Sequence, residues 1–289
     1  LRDLSLIRSA NKIWNQISEV NNLEFEYLLL DGKVPVLVAN DVYKNPDLVS
    51  EFFENLDYWE TKEIKNTQII RPGLTHNFPE IIQDQISNQI EERVKPLFGV
   101  SKMDIFDLYC QCTSPDMTLD ATSSLCCYPH IDVPVFDSFD PIPCLVANIN
   151  FTKSDDPVST GFWSWKGKTN SLDFNRNDKN SIENFYRRHE ELNVGSWFQI
   201  KDYEDFKFET SVTMGYNSLV LYPTTNLHNA YIEPNWFSDR QRLMLSIFYF
   251  ISPEDLDFEE RYIDTVSYSW EHFRLDTLFN YHPKQTHFE

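Results

Sequence analysis

The sequence predicts a mainly β fold, a sandwich or barrel with helices packed on its outside, and three observations lead there. From residue 104 to 251, short runs rich in Ile, Val, Phe, Tyr and Cys alternate with Pro, Asp, Asn and Gly. That is the texture of many short strands joined by turns. Helical periodicity, by contrast, is confined to the first hundred residues and to the aromatic, acidic tail at 252–289. Finally, the N-terminal helices are too few to close a core of their own, so their apolar stripes need a sheet to cover. The expected organisation is one domain over 1–289, with 1–100 a largely helical support, 104–251 the β core and 252–289 a helical tail.

Taken in order, Leu4, Ile7, Ile13, Trp14 and Ile17 fall near helical spacing and predict an amphipathic helix within residues 1–20. A strand from Phe25 to Leu30, a turn at Asp31-Gly32 and a second strand from Val34 to Ala39 follow. Asn45-Pro46-Asp47 opens the next helix, proline being suited to a first helical turn, with Leu48, Val49, Phe52, Phe53 and Leu56 as its buried stripe. A third helix is expected from Pro79 to Leu97, with Ile81, Ile82, Ile86, Ile90 and Val94 inward. His76 falls in a loop before it. The strand-like runs are 104–112, 124–133, 144–151, 160–166, 194–201, 208–214, 218–223 and 242–251.

The balance of 25 basic against 45 acidic residues gives a net charge of −20. A field of that sign repels phosphate backbones and anionic lipid, and no basic patch interrupts it, so nucleic acid and membrane surfaces are excluded as partners. No apolar run approaches the roughly eighteen residues of a spanning helix. The five cysteines are odd in number and form no C-x-x-C. They read as reduced core thiols of an intracellular, cytoplasmic protein, with a cysteine-rich zinc site as the alternative, although a start at Leu1 leaves a removed targeting segment open. The sequence sets no oligomeric state.

His130-Ile131-Asp132 stands in an extended run, where residues i and i+2 share a face. An imidazole and a carboxylate so placed begin a two-histidine, one-carboxylate metal site with open positions. Of the remaining histidines only His228 follows a strong strand, Asn217 to Pro223, and it lies 96 residues after Asp132. Arg242 then opens the apolar run that ends at Phe250. Alternation puts Arg242, Met244, Ser246 and Phe248 on one face and Leu243, Leu245, Ile247 and Tyr249 on the other. The arginine's face is the more polar and is expected to line a cavity, where a guanidinium calls for a carboxylate partner. Arg240, on the same face if the chain is extended, is the alternative, or a site for a substrate carboxylate. Each residue alone has a plainer reading: a core histidine, a turn carboxylate, an arginine in an ion pair.

The order His-x-Asp, about a hundred residues, His, then Arg at the start of a last apolar strand resembles the iron(II)- and 2-oxoglutarate-dependent dioxygenases of the double-stranded β-helix (jelly-roll, cupin-like) fold. Tyr128-Pro129-His130-Ile131-Asp132 is similar to the Pro-His-x-Asp of prolyl-hydroxylase-like members, and Tyr216 to Pro223, His228 and Arg242-Leu243 match the later part of the pattern. The resemblance covers 104–251. It implies that His130, Asp132 and His228 hold Fe(II) and that Arg242 grips the distal carboxylate of 2-oxoglutarate. Tyr109, Tyr128 and Asn148 are candidates to bond the same co-substrate. With O2, such a site oxidises an unactivated C–H bond of a small-molecule or amino-acid-derived substrate, by hydroxylation or by desaturation or radical cyclisation in a biosynthetic pathway. Two departures stand out. The usual Gly-Gly-Thr appears only as Ser159-Thr160-Gly161, and the usual Arg-x-Ser as Arg242-Leu243-Met244. Trp163, Trp165 and Lys166 line a substrate mouth or form a surface hairpin. The competing readings are a non-catalytic metal-binding jelly-roll module that binds a ligand, a peptidyl hydroxylase, and a zinc hydrolase, for which no general base is evident.

Overall fold

Residues 31 and 32 set the first tight turn. Asp31 and Gly32 both hold positive φ, 47° and 68°, the backbone that an Asp-Gly pair tolerates and that joins antiparallel strands closely. Strand β1 (Glu26–Leu30) thereby folds onto β2 (Val34–Ala39), with Leu30 opposite Val34. The computed structural model describes residues 12–54, 74–77, 88, 90–92, 94–95, 102–113, 129, 144–169, 206–224, 226–232, 236–237 and 240–252. Within them lie helices α1 (12–17) and α2 (Pro46–Glu54), and strands β3 (Leu74–Asn77), β4 (Lys102–Thr113), β5 (Cys144–Asn150), β6 (Val158–Trp165), β7 (Phe206–Met214), β8 (Leu219–Pro223), β9 (His228–Tyr231) and β10 (Arg242–Ser252). Further helical residues fall at 88, 90–92 and 94–95.

The strands form two antiparallel sheets, seven strands in the order β1-β2-β8-β5-β10-β4-β3 and three in the order β7-β6-β9. The large sheet is buried on both faces, which is why its strands read as continuous apolar runs rather than as alternation with polar residues. Leu145, Ala147, Ile149, Leu219, Leu221, Leu243, Leu245, Ile247 and Tyr249 point to one side. There they meet Trp14 and Ile17 of α1, Val49 and Phe53 of α2, and Ile90 and Val94. Trp14 sits 5.7 Å from Phe53, and Phe53 stands edge-on to Phe151 at 5.3 Å. On the other side Val34, Val36, Val146, Val220, Tyr222, Met244 and Phe248 face Val158, Phe162, Val212 and Met214 of the small sheet. Two sheets enclosing one core, with helices outside the larger, make a jelly roll, as the sequence predicts.

The structure differs from the sequence reading in three places. His76 belongs to a strand, β3, with Cys110 of β4 as its Cα partner, rather than to a loop. The strands of the first hundred residues, the expected β1 and β2 together with β3, extend the large sheet at both edges instead of the N-terminal part only covering it from outside. β9 is four residues, His-Asn-Ala-Tyr, and its strand character comes from pairing with β6. The runs 124–133 and 194–201 lie outside the described residues. Among the described residues no helix is long and apolar enough to cross a membrane.

Candidate metal and co-substrate site

A tight connection after β8 delivers His228 to the start of β9. Asn226 N donates to Pro223 O at 3.1 Å, Leu227 N to Thr169 O at 2.8 Å, and Trp163 N to Leu227 O at 2.9 Å. These bonds tie the connection to β6 and its following turn, so that His228 enters the small sheet opposite Phe162. The imidazole is 3% exposed, and its Nδ1 lies 2.8 Å from the carbonyl oxygen of Asn226. A carbonyl only accepts, so Nδ1 is the donor of that bond, and in the neutral ring the lone pair falls on Nε2, a tautomer that suits metal binding. The ring meets Tyr222 edge-on, 4.9 Å between centroids, and Tyr222 in turn meets Phe162 at 5.1 Å.

The next residue, Asn229, turns to the back of the small sheet, where its Oδ1 accepts from Trp163 Nε1 at 2.9 Å. A Cβ at Gly161 would stand 2.6 Å from that same oxygen. The glycine of Ser159-Thr160-Gly161 therefore allows β6 and β9 to pair with this bond in place. Trp163 and Trp165 are buried, and only the following turn, Lys166-Gly167 with φ of 50° and 79°, is exposed.

Arg242 opens β10, and the backbone beside it is fixed. Leu243 N donates to Thr152 Oγ1 at 2.9 Å, while Thr152 Oγ1 and Phe151 N both donate to Leu243 O, at 3.2 Å and 3.0 Å. The guanidinium is 3% exposed. Met244 and Phe248 lie in the core between the sheets, and Leu243, Leu245 and Ile247 in the helix-covered core, so alternation puts Arg242 on the inner face. A planar, permanently charged fork there suits a carboxylate. Arg240 has a different place. It is exposed in the bend before β10, and its Nη1 donates to the carbonyl of Lys153.

Asn148 of β5 pairs with Ser246 of β10. Ser246 Oγ donates to Asn148 Oδ1 at 2.6 Å, and Asn148 Nδ2 donates to Tyr222 Oη at 3.1 Å. A polar run thus crosses the inner face of the large sheet and ends at the ring that packs on His228. By contrast, burial pushes the hydroxyls of Tyr43 and Tyr249 up, keeping them neutral within the helix-covered core, on the opposite face of the sheet.

Of the residues nominated from sequence, His228, Arg242 and Asn148 therefore belong to the space between the sheets, and Arg240 lies outside it. His130, Asp132 and Tyr128 lie outside the described residues, as does the side chain of Tyr109. Among the described residues no three His, Cys, Asp or Glu side chains gather to hold a metal ion. The Asn226 carbonyl, the Tyr222 ring and Asn229 were not nominated. The only signal for them was their place in the short stretch around His228.

The model of a family of unknown function, DUF6445, matches residues 22–248. No curated protein sequence matches the chain. Among solved structures, it is similar to the non-heme alpha ketoglutarate dependent carbocyclase SnoK from nogalamycin biosynthesis. The identity is 10% and the TM-score 0.41, covering 87% of this chain and 88% of that one. It is also similar to HygX from Streptomyces hygroscopicus, solved with nickel, 2-oxoglutarate and hygromycin B bound. There the identity is 10% and the TM-score 0.43, covering 76% of this chain and 84% of that one.

Proposed function

The chain belongs to the DUF6445 family, whose function is unknown, and from that premise we propose that it is an iron(II)- and 2-oxoglutarate-dependent oxygenase. Its substrate is a small molecule or amino-acid derivative, oxidised at an unactivated C–H bond. One observation carries the reading: a buried imidazole whose Nδ1 donates to a backbone carbonyl and a buried guanidinium line the same space between two sheets. The first suits a metal and the second suits the carboxylate of an anionic co-substrate.

To His228 we add His130 and Asp132, the His-x-Asp pair that the sequence resemblance nominates, so that His130, Asp132 and His228 would hold the metal.

Iron with 2-oxoglutarate and O2 supplies an oxidant able to break a C–H bond, with succinate and carbon dioxide as co-products. The chain's own residues prepare for it. Asn226 holds the Nδ1 proton of His228. Arg242 anchors the distal carboxylate of 2-oxoglutarate, and Asn148, steadied by Ser246, offers an amide to the same molecule. Phe162, Val146 and Phe248 keep water from the reacting atoms.

The test is titration of the protein with Fe(II) under anaerobic conditions, then with 2-oxoglutarate, followed by succinate release on admitting O2. Replacing His130, Asp132 or His228 with alanine is expected to remove metal binding. Wild-type affinity no tighter than that of His228→Ala overturns the metal site. Metal binding without 2-oxoglutarate binding leaves a ligand-binding module instead.

A further inference from the structure

Resting on the metal reading of His228, we propose that Tyr222 is a positioning residue, which fixes the His228 ring plane and links it to the ligand-facing amide of Asn148. The hydrogen bond from Nδ1 to Asn226 O sets the tautomer. A hydrogen bond by itself allows a ring to pivot about it, and a lone pair that swings out of line makes a poorer ligand. The Tyr222 ring, edge-on at 4.9 Å and inclined by 68°, blocks that pivot. Tyr222 is itself held, by Phe162 perpendicular to it at 5.1 Å and by the Asn148 amide at its hydroxyl. Asn148 in turn is held by Ser246. His228, Tyr222 and Ser246 are all buried, and Asn148 is the one member of this chain of contacts that keeps intermediate exposure. A ligand between the sheets therefore meets the relay at Asn148, and any shift there passes through the Tyr222 hydroxyl to the imidazole.

The experiment measures Mn(II) affinity by calorimetry and thermal midpoint for wild type, Tyr222→Phe, Asn148→Ala, the double variant and His228→Ala. Tyr222→Phe keeps the ring and loses the anchor of its hydroxyl. It is expected to bind Mn(II) about tenfold more weakly, the scale of a residue that orients a ligand, with its thermal midpoint within about 3 °C of wild type. Asn148→Ala removes the same bond from the other side and is expected to give a similar loss. The double variant is then expected to lose no more than either single one, since both break one link. Unchanged affinity in both single variants, or losses that simply add, overturns the relay. So does a loss of affinity that only follows a fall in the thermal midpoint. His228→Ala separates the two ideas. If it too binds Mn(II) like wild type, the metal reading has failed. If it abolishes binding while Tyr222→Phe does not weaken it, only the positioning role has failed.

Discussion

The side-chain amide of Asn217 pairs with the peptide unit of Tyr43 as a second strand would. Its Oδ1 accepts from Tyr43 N at 3.0 Å, and its Nδ2 donates to Tyr43 O at 2.9 Å. Its own carbonyl accepts from Val42 N at 2.9 Å. The pair joins the segment after β2 to the turn between β7 and β8, 174 residues apart in sequence. Asn217 is 3% exposed and holds φ at 59°, a backbone that asparagine tolerates better than most residues.

That pairing makes Asn217→Asp a demanding substitution. It turns the donor toward Tyr43 O into a second acceptor and places a charge in a buried site. The expected loss is about 2–4 kcal/mol, from a buried carbonyl left without its donor and from the stranded carboxylate. Asn217→Gly keeps the backbone conformation, loses both bonds and is expected to lose less. Urea unfolding read at constant slope measures both. An Asn217→Asp protein as stable as wild type would contradict the account.

Glu209 joins the two sheets at their β1 and β7 edges. It is the residue passed over where β7 slips against β6, between the pairs Phe162↔Thr210 and Trp163↔Phe208. Its carboxylate accepts from Lys33 Nζ and Ser164 Oγ, each at 2.6 Å. Burial raises its pKa, but the bonds from Lys33 and Ser164 outweigh that and the net shift is downward. A carboxyl whose folded pKa lies below its unfolded one stabilises the fold above the ordinary value, here 4.5. That contribution is lost as pH falls from there through the folded value. Glu209→Gln is therefore expected to cost on the order of 1 kcal/mol at neutral pH, allowing for a half-exposed Lys33. The difference from wild type is expected to shrink as pH falls below 4.5 and to vanish once the folded carboxyl is protonated. A difference that persists or grows in acid would show that the charge is not what matters.

Gly161→Ala tests the back of the small sheet. The new methyl would approach Asn229 Oδ1 to 2.6 Å and Tyr231 Cβ to 3.2 Å, so β9 must move or the Trp163–Asn229 bond must break. The expected cost is about 1–3 kcal/mol. Because His228 is the neighbour of Asn229, metal affinity is expected to fall with it. Thermal unfolding and Mn(II) titration of one preparation would expose a mistake, if stability drops while affinity holds.

Strand alternation made the faces of β10 legible from sequence. Met244 and Phe248 turned to one core and Leu243, Leu245 and Ile247 to the other because both sides of that strand are buried. The Asp31-Gly32 hairpin was legible from its turn chemistry, but not its place at the sheet edge, since edge pairing is decided by distant partners. β9 was not legible. His-Asn-Ala-Tyr has no apolar alternation, and it becomes a strand because Ser159, Thr160 and Gly161 pair with it. In the candidate site, His228 and Arg242 could be nominated by type and spacing. The Asn226 carbonyl could not, because any residue supplies one. Arg240 was an alternative to Arg242 because an extended chain would give the two an equivalence of face. The bend at Arg240 removes that equivalence.

The two arginines give the last prediction. Arg242 is 3% exposed on the inner face of β10, and Arg240 is exposed and bonded to the Lys153 carbonyl. If 2-oxoglutarate lies between the sheets, its distal carboxylate meets Arg242, and truncation forfeits a desolvated charge pair worth about 2 kcal/mol or more. Arg242→Ala is therefore expected to weaken 2-oxoglutarate binding about thirty-fold or more, with Mn(II) affinity nearly unchanged. Arg240→Ala is expected to leave both within about twofold, since a lost surface bond changes little. Calorimetric titration of 2-oxoglutarate into the Mn(II)-loaded proteins distinguishes the two. If the loss followed Arg240 instead, the co-substrate would lie toward the loop between β5 and β6. If neither variant lost affinity, the buried guanidinium would serve the fold alone, and the oxygenase reading would lose its anion site.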